Sequence, residues 1–178
     1  IHTGDTLFSY DPDDNSTQEV GRFRTRSGDL ENSMVDIAID TDGRMFGGTL
    51  NPGDGPNDVF QIDPNTGYCF YKFSFDDDLN GMTFLPDGRL VIAGERISVV
   101  DPDDGTQLLT FDAAQAYETS GDVVGLPDGN LYWTVRGADR DHDGVVRLHP
   151  PTGHVTVLGH PPLGRSFALG SANAVPSA

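Results

Sequence analysis

The chain has 178 residues, enough for one ordinary domain with a true core. Its 28 acids against 11 bases give a net charge of −17, which repels phosphate backbones and anionic membrane surfaces. At 36% apolar content it has no run near the eighteen or so apolar residues of a spanning helix.

The N-terminal Ile1-His2-Thr3-Gly4 lacks the basic and apolar segments of a signal peptide and an initiator Met, so the sequence reads as a mature or trimmed form. Thr6 to Tyr10 alternates in polarity, ends at Asp11-Pro12 and pairs back with Thr17 to Arg22 as a hairpin. Residues 24–33 are polar and irregular and read as a connecting loop. Val35 to Asp40 is a buried strand, Asp42-Gly43 signals a two-residue hairpin turn, and Arg44 to Thr49 is the return strand. Residues 51–57 form a Pro/Gly loop.

The cycle then repeats. Val59 to Ile62 and Tyr68 to Phe75 make an outer hairpin around Asp63-Pro64. Gly81 to Leu85 and Arg89 to Ala93 make an inner one around Asp87-Gly88. A third cycle is Ile97 to Val100, Gln107 to Phe111, Asp122 to Leu126 and Leu131 to Val135. A fourth begins with Val145 to Leu148, His154 to Leu158 and Phe167 to Val175. Asp112 to Tyr117 is the one helix-like stretch, short enough to be a single turn. Cys69, between Tyr68 and Phe70, is the only cysteine; it excludes an internal disulfide and reads as a small apolar strand residue.

Two phrases therefore alternate: a strand running into Asp-Pro-x-x-Gly, and a strand running into Asp-Gly. The Asp-Gly turns begin at 42, 87 and 128, a period of 41 to 45 residues. Four antiparallel strands in such a period is the pattern of propeller blades, whose sheets must stack to bury their faces. A sandwich is the all-β alternative, with less regular phrases. The fold expected is all-β: a single domain over 1–178, a propeller or partial propeller of about four four-stranded blades.

Over residues 5–175 the pattern resembles the repeats of secreted bacterial β-propellers of the NHL, YVTN and SMP-30/gluconolactonase-like groups: inner strand, Pro-Asp-Gly-Arg/Asn-Leu, return strand, then Ile-Asp-Pro-x-x-Gly. The resemblance implies an extracellular or cell-surface protein. It leaves function open, because such propellers bind ligands, hydrolyse lactones or act as scaffolds. In such rings, strands from the two termini share one blade. Here the hairpin at 6–22 pairs with Phe167–Val175, giving either a small four-bladed ring or a partial array completed by another copy through its open edges.

Asp139-Arg-Asp-His-Asp-Gly144 matches the start of a calcium loop: Asp139, Asp141, Asp143 and the Val145 carbonyl are the donors, and Gly144 allows the bend. It resembles EF-hand and integrin-type loops, but Pro150 stands where an EF-hand has its Glu and Arg147 where the integrin-type loop has Asp. Ca2+ at this loop is thus expected to bind weakly. Asp11–Asn15 and Asp101–Gly105 read as turn chemistry; Asp76 to Asp78 precede an inner strand and are placed toward the channel mouth.

Asp36, Gly81 and Asp122 occupy equivalent inner-strand positions, with Asn80 and Ser120 nearby. In the lactonase-like groups, carboxylates and amides at the channel mouth hold a divalent metal that polarises a carbonyl. Here Gly81 interrupts the ring, so a structural role for both carboxylates is favoured. The five histidines show no metal pair at helical spacing, and no Gly-x-Ser-x-Gly elbow occurs. His149 replaces a repeat Asp and reads as a turn residue; Trp133 reads as core. The function expected is a binding or scaffold module for a protein or carbohydrate ligand. The alternative is a metal-dependent lactonase or esterase using Asp36, Asn80 and Asp122.

Overall fold

The computed structural model describes residues 1–53, 55–111, 117–136 and 143–159. Among these there is no helix. The strands are β1 (Thr6–Asp11), β2 (Ser16–Arg22), β3 (Arg24–Thr25), β4 (Gly28–Asp29), β5 (Met34–Ile39), β6 (Met45–Thr49), β7 (Asn57–Ile62), β8 (Cys69–Phe75), β9 (Gly81–Phe84), β10 (Leu90–Ala93), β11 (Ile97–Val100), β12 (Gln107–Phe111), β13 (Glu118–Gly125), β14 (Leu131–Arg136), β15 (Asp143–His149) and β16 (His154–Gly159).

Three four-stranded antiparallel sheets form in sequence order, β5 to β8, β9 to β12 and β13 to β16. They are blades 1, 2 and 3. The β1–β2 hairpin is a separate two-stranded sheet ahead of blade 1 and is equivalent to the outer half of a blade. The architecture is that of a partial propeller of about four blades. Residues 24–33, expected to be loop, contain the small β3–β4 hairpin, closed by pairing Arg24 with Asp29 and Thr25 with Gly28. Its turn admits Gly28 at φ 131°, which other residues resist. The expected helical turn at 112–117 and strand at 167–175 fall almost wholly or wholly outside the described residues.

Burial explains the stacking. β10 reads Leu-Val-Ile-Ala without alternation because both its faces are covered. Leu90 and Ile92 join Phe46, Val59, Phe73 and Phe84 between blades 1 and 2. Val91 and Ala93 join Trp133, Val146 and Leu148 between blades 2 and 3. A third cluster, with Leu7, Phe23, Met45 and Phe60, seats the N-terminal hairpin on blade 1. At the first junction Phe46 and Phe84 meet edge to face, 5.4 Å between centroids. Gly48 makes room there, since a Cβ would lie 2.4 Å from Leu79.

Both turn families project from the same end of the array. The Asp-Gly turns are three-residue loops, not the two-residue kind that the dipeptide suggests. Gly88 N–H donates to Leu85 O at 3.0 Å and Leu85 N–H to Arg89 O at 2.9 Å, closing a type I turn with Gly in the left-handed region. A two-residue type I′ turn needs positive φ at both central residues, yet only Gly43, Gly88 and Gly129 have it in these turns.

Candidate functional site

The inner strands lie side by side, β5 against β9 and β9 against β13, so residues far apart in sequence meet along the axis. Asp36 Oδ1 accepts from its neighbour Ile37 N–H at 2.8 Å, and Oδ2 accepts from Met82 N–H of the next blade at 2.6 Å. Asp122 repeats the local half, Oδ1 accepting from Val123 N–H at 2.7 Å. Gly81 stands at the equivalent place between them. A Cβ there would lie 3.0 Å from Val123 N and 3.1 Å from both Asp122 Cα and Gly121 O. The missing side chain at Gly81 therefore lets β13 close on β9, which leaves the Asp36 carboxyl under the influence of the Asp122 charge.

Burial, then the charge of Asp122, pushes the Asp36 pKa up to about 7 against the pull of the Met82 and Ile37 amides. A carboxyl pair of this kind retains a proton in the pH range where an ordinary pair has lost both. Lower on the axis Thr83 Oγ1 accepts from Gly125 N–H at 2.9 Å and joins blades 2 and 3. Gly125 is small out of necessity, because a Cβ would fall 2.4 Å from Phe84 O. At the turn end, Ile39, Thr83, Phe84, Leu85, Leu126 and Pro127 line much of a mouth of about 340 Å³.

The structure brings Asp36 and Asp122 to the same place on the axis. Asn80 is exposed, held at the start of β9 by its N–H bond to Ala93 O. Ser120 is buried in β13. Of the calcium donors, Asp139 and Asp141 lie outside the described residues. Asp143 and Val145 are the first and third residues of β15, with Asp143 buried opposite Arg136. Among the described residues no three His, Cys, Asp or Glu side chains converge on a metal position. Asp76 to Asp78 lie on the link from β8 to β9. There Asp77 pairs with Arg96 of the β10–β11 turn, 3.5 Å away.

The acidic outer turns use their carboxylates locally: Asp13 N–H donates to Asp11 Oδ1 at 2.9 Å and Asp103 N–H to Asp101 Oδ1 at 2.8 Å. Cys69 is buried in β8, where desolvation pushes the thiol up to about 11. Trp133 is buried and donates its indole N–H to Thr119 Oγ1 at 3.1 Å.

Two networks had no signal in the repeat. On the turn end, Arg44 bonds Asp40 at 2.6 Å and reaches Asp103 of blade 2 at 3.7 Å, while Lys72 holds Asp103 from the other side at 3.0 Å. Burial opposes the Asp40 charge, but the Arg44 amide and guanidinium prevail and hold its pKa below the usual value. In blade 3, His149 Nδ1 meets Asn130 Oδ1 at 3.0 Å.

No protein-family model and no curated protein matches the sequence. Solved structures do resemble the chain. Over 92% of its length it is similar to 61% of a chain from a nidogen–laminin complex, at 17% identity and a TM-score of 0.69. Over 87% it is similar to 38% of TolB from Acinetobacter baumannii, at 17% identity and TM-score 0.60. Over 87% it also matches 54% of regucalcin, a calcium-binding protein from Agrobacterium tumefaciens, at 18% identity and TM-score 0.58. The chain spans less than two thirds of each of these structures. Together with the three stacked meanders and their axial carboxyl contacts, these likenesses establish that the chain has a β-propeller fold.

Proposed function

We propose that this chain is a propeller module that binds a macromolecular partner, most simply another protein, and does not hydrolyse a lactone or ester. The observation that carries the reading is the use of the axial carboxyls. Asp36 accepts two backbone amides, one from the next blade, and Asp122 accepts the amide of its own neighbour Val123. Such groups hold strands together. A protonated pair is also a poor ligand for a Lewis-acid metal, which needs charged oxygens.

The rim supports the same reading. The outermost strand of each blade carries an exposed apolar pair: Phe70 and Tyr71 on β8, Leu108 and Leu109 on β12, Val157 and Leu158 on β16. Exposed apolar surface of this kind marks interaction faces. The nidogen–laminin structure, which the fold resembles, is an assembly of proteins.

Two finer points belong to the proposal. Ca2+ bound by Asp139, Asp141, Asp143 and the Val145 carbonyl tightens the β14–β15 loop, with the weak affinity, about 10⁻⁴–10⁻³ M, of extracellular modules. Regucalcin, similar in fold, is named a calcium-binding protein. The setting that supplies such calcium is extracellular or at the cell surface.

A lactone and ester panel with added divalent ions tests the main reading. The binding module shows no turnover, and Asp36→Asn lowers the melting temperature. Turnover by the wild type that Asp36→Asn abolishes in a folded variant would establish the hydrolase instead. For the calcium point, excess Ca2+ raises the melting temperature over EDTA in the wild type and not in Asp141→Ala. Equal melting in both media rejects it.

A further inference from the structure

The cleft at the turn end of blade 3 differs chemically from the rest of a chain carrying a net charge of −17. Asn130, Arg147, His149, Thr152, His154 and Thr156 line about 370 Å³ of open space, with no carboxylate among them. His149 and His154 are direct cross-strand partners at the ends of β15 and β16. Directly opposed residues in an antiparallel pair hold their Cβ atoms about 4.5–5.5 Å apart, which lets two imidazoles close on one ion.

The tautomer of His149 is set by its neighbours. Asn130 Nδ2 donates to Asp128 Oδ2 at 2.8 Å, and Asn130 N–H donates to Asp128 Oδ1 at 3.0 Å. The amide is thereby oriented with Oδ1 toward His149, 3.0 Å from Nδ1. A carbonyl oxygen can only accept, so Nδ1 carries a proton, and the tautomer so selected is the one whose Nε2 is free to ligate. A relay from carboxylate to amide to imidazole is the kind of outer support that metal-ligating histidines have. His154 Nδ1 lies 3.4 Å from Thr156 Oγ1, a hydroxyl able to accept from it or donate to it.

We propose that His149 and His154 form a two-imidazole chelate for a divalent ion of the nickel–copper–zinc class, with water completing the coordination. Imidazole nitrogen suits these ions and not calcium or magnesium, which take oxygen. An anion is the competing occupant, because Arg147 lines the same cleft. Against it, the Arg147 charge is met by Asp128, whose pKa it helps to lower.

Isothermal titration with Zn2+ or Cu2+ alone, in excess Ca2+ to saturate oxygen sites, reads the proposal. One equivalent binds the wild type. His149→Ala and His154→Ala each weaken binding at least tenfold. Asn130→Ala, which keeps both rings, weakens it about tenfold. Binding fades in acid, because both rings must be neutral to ligate. The Cu2+ complex shows two nitrogen ligands by electron paramagnetic resonance. Three results overturn it: equal binding by wild type and the double alanine variant, a copper spectrum without two nitrogens, or saturable binding of inorganic phosphate that both histidine variants lose. Circular dichroism confirms that each variant is folded; both rings are exposed and the turn between them is held by backbone bonds.

Discussion

The outer turns of blades 2 and 3 have the same backbone and different chemistry. In Asp101–Gly105, Gly105 N–H donates to Asp101 O at 2.9 Å; in His149–Gly153, Gly153 N–H donates to His149 O at the same distance. Both glycines are left-handed, at φ 76° and 66°. The first side chain is where they part. Asp101 caps the amide two residues on, Asp103 N–H. In blade 3 that place is Pro151, which has no N–H to cap. An Asp there has lost its task, and the position is open to His149. The turn is thus fixed by its closing Gly and by backbone bonds to the opening carbonyl, while the opening side chain is available for other work.

The largest effect expected comes from the closing glycines. A Cβ at Gly67, φ 71°, would meet backbone oxygens of Arg22 at 2.9 Å and Gly21 at 3.0 Å. At Gly153 the nearest atom is a Phe111 ring carbon at 3.4 Å, an ordinary contact. Gly67→Ala therefore adds crowding to left-handed strain and costs about 2–4 kcal/mol, against about 1–2 kcal/mol for Gly153→Ala. Urea denaturation of the two variants measures the gap. Equal losses would mean that strain alone sets the price of the turn. Asn15, at φ 57°, closes the equivalent turn of the N-terminal hairpin without glycine, as Asn tolerates this region.

Next in size is the capping residue. Asp101→Ala leaves the Asp103 amide to water and costs about 1 kcal/mol, whereas His149→Ala changes stability by less than about 0.5 kcal/mol. Thermal melting of both variants side by side distinguishes them, and a larger loss at His149 would contradict the comparison.

These differences show what a sequence can convey. Gly, Pro and Asp act within a few residues, so the turns, strands and blade period were readable along the chain. The length of the Asp-Gly loops was misread from the dipeptide, although Pro86 and Pro127 precede the Asp and a fixed φ near −65° suits the second place of a type I turn. The axial contacts were only half visible. Asp36 and Asp122 stood out by their repeat position, but the approach that Gly81 permits arises from packing of three strands. The Thr83–Gly125 bond spans 42 residues and the Asn130–His149 bond 19, and no local pattern marks either partner.

Titration sharpens the contrast between turn and axis. The Asn65 amide at Asp63, and the Thr106 amide at Asp104, hold these carboxyls below their ordinary value of 3.8. Their contribution is present above that value and is lost as pH falls below it. Asp36 acts in the opposite sense. The folded chain keeps a proton that the unfolded chain releases, so stability falls as pH rises from 3.8 to about 7. Denaturation across this range shows that decline in the wild type. Asp36→Asn flattens it and leaves the acid limb intact; an unchanged decline would remove the carboxyl pair as its cause.

The smallest effect is the most direct test of why blade 3 lacks its Asp. His149→Asp alone supplies a carboxylate with no amide to receive it. Pro151→Asn alone supplies an amide with no carboxylate and gives up the rigidity of proline, a loss of about 0.4–1 kcal/mol. Together they rebuild the arrangement of blade 1, where Asn65 N–H donates to Asp63 Oδ1 at 2.9 Å. The double variant should therefore be more stable than the sum of the singles by about 0.5–1 kcal/mol. Simple additivity in this cycle would mean that Pro151 is not what released position 149, because the carboxylate would then gain nothing from the amide restored beside it.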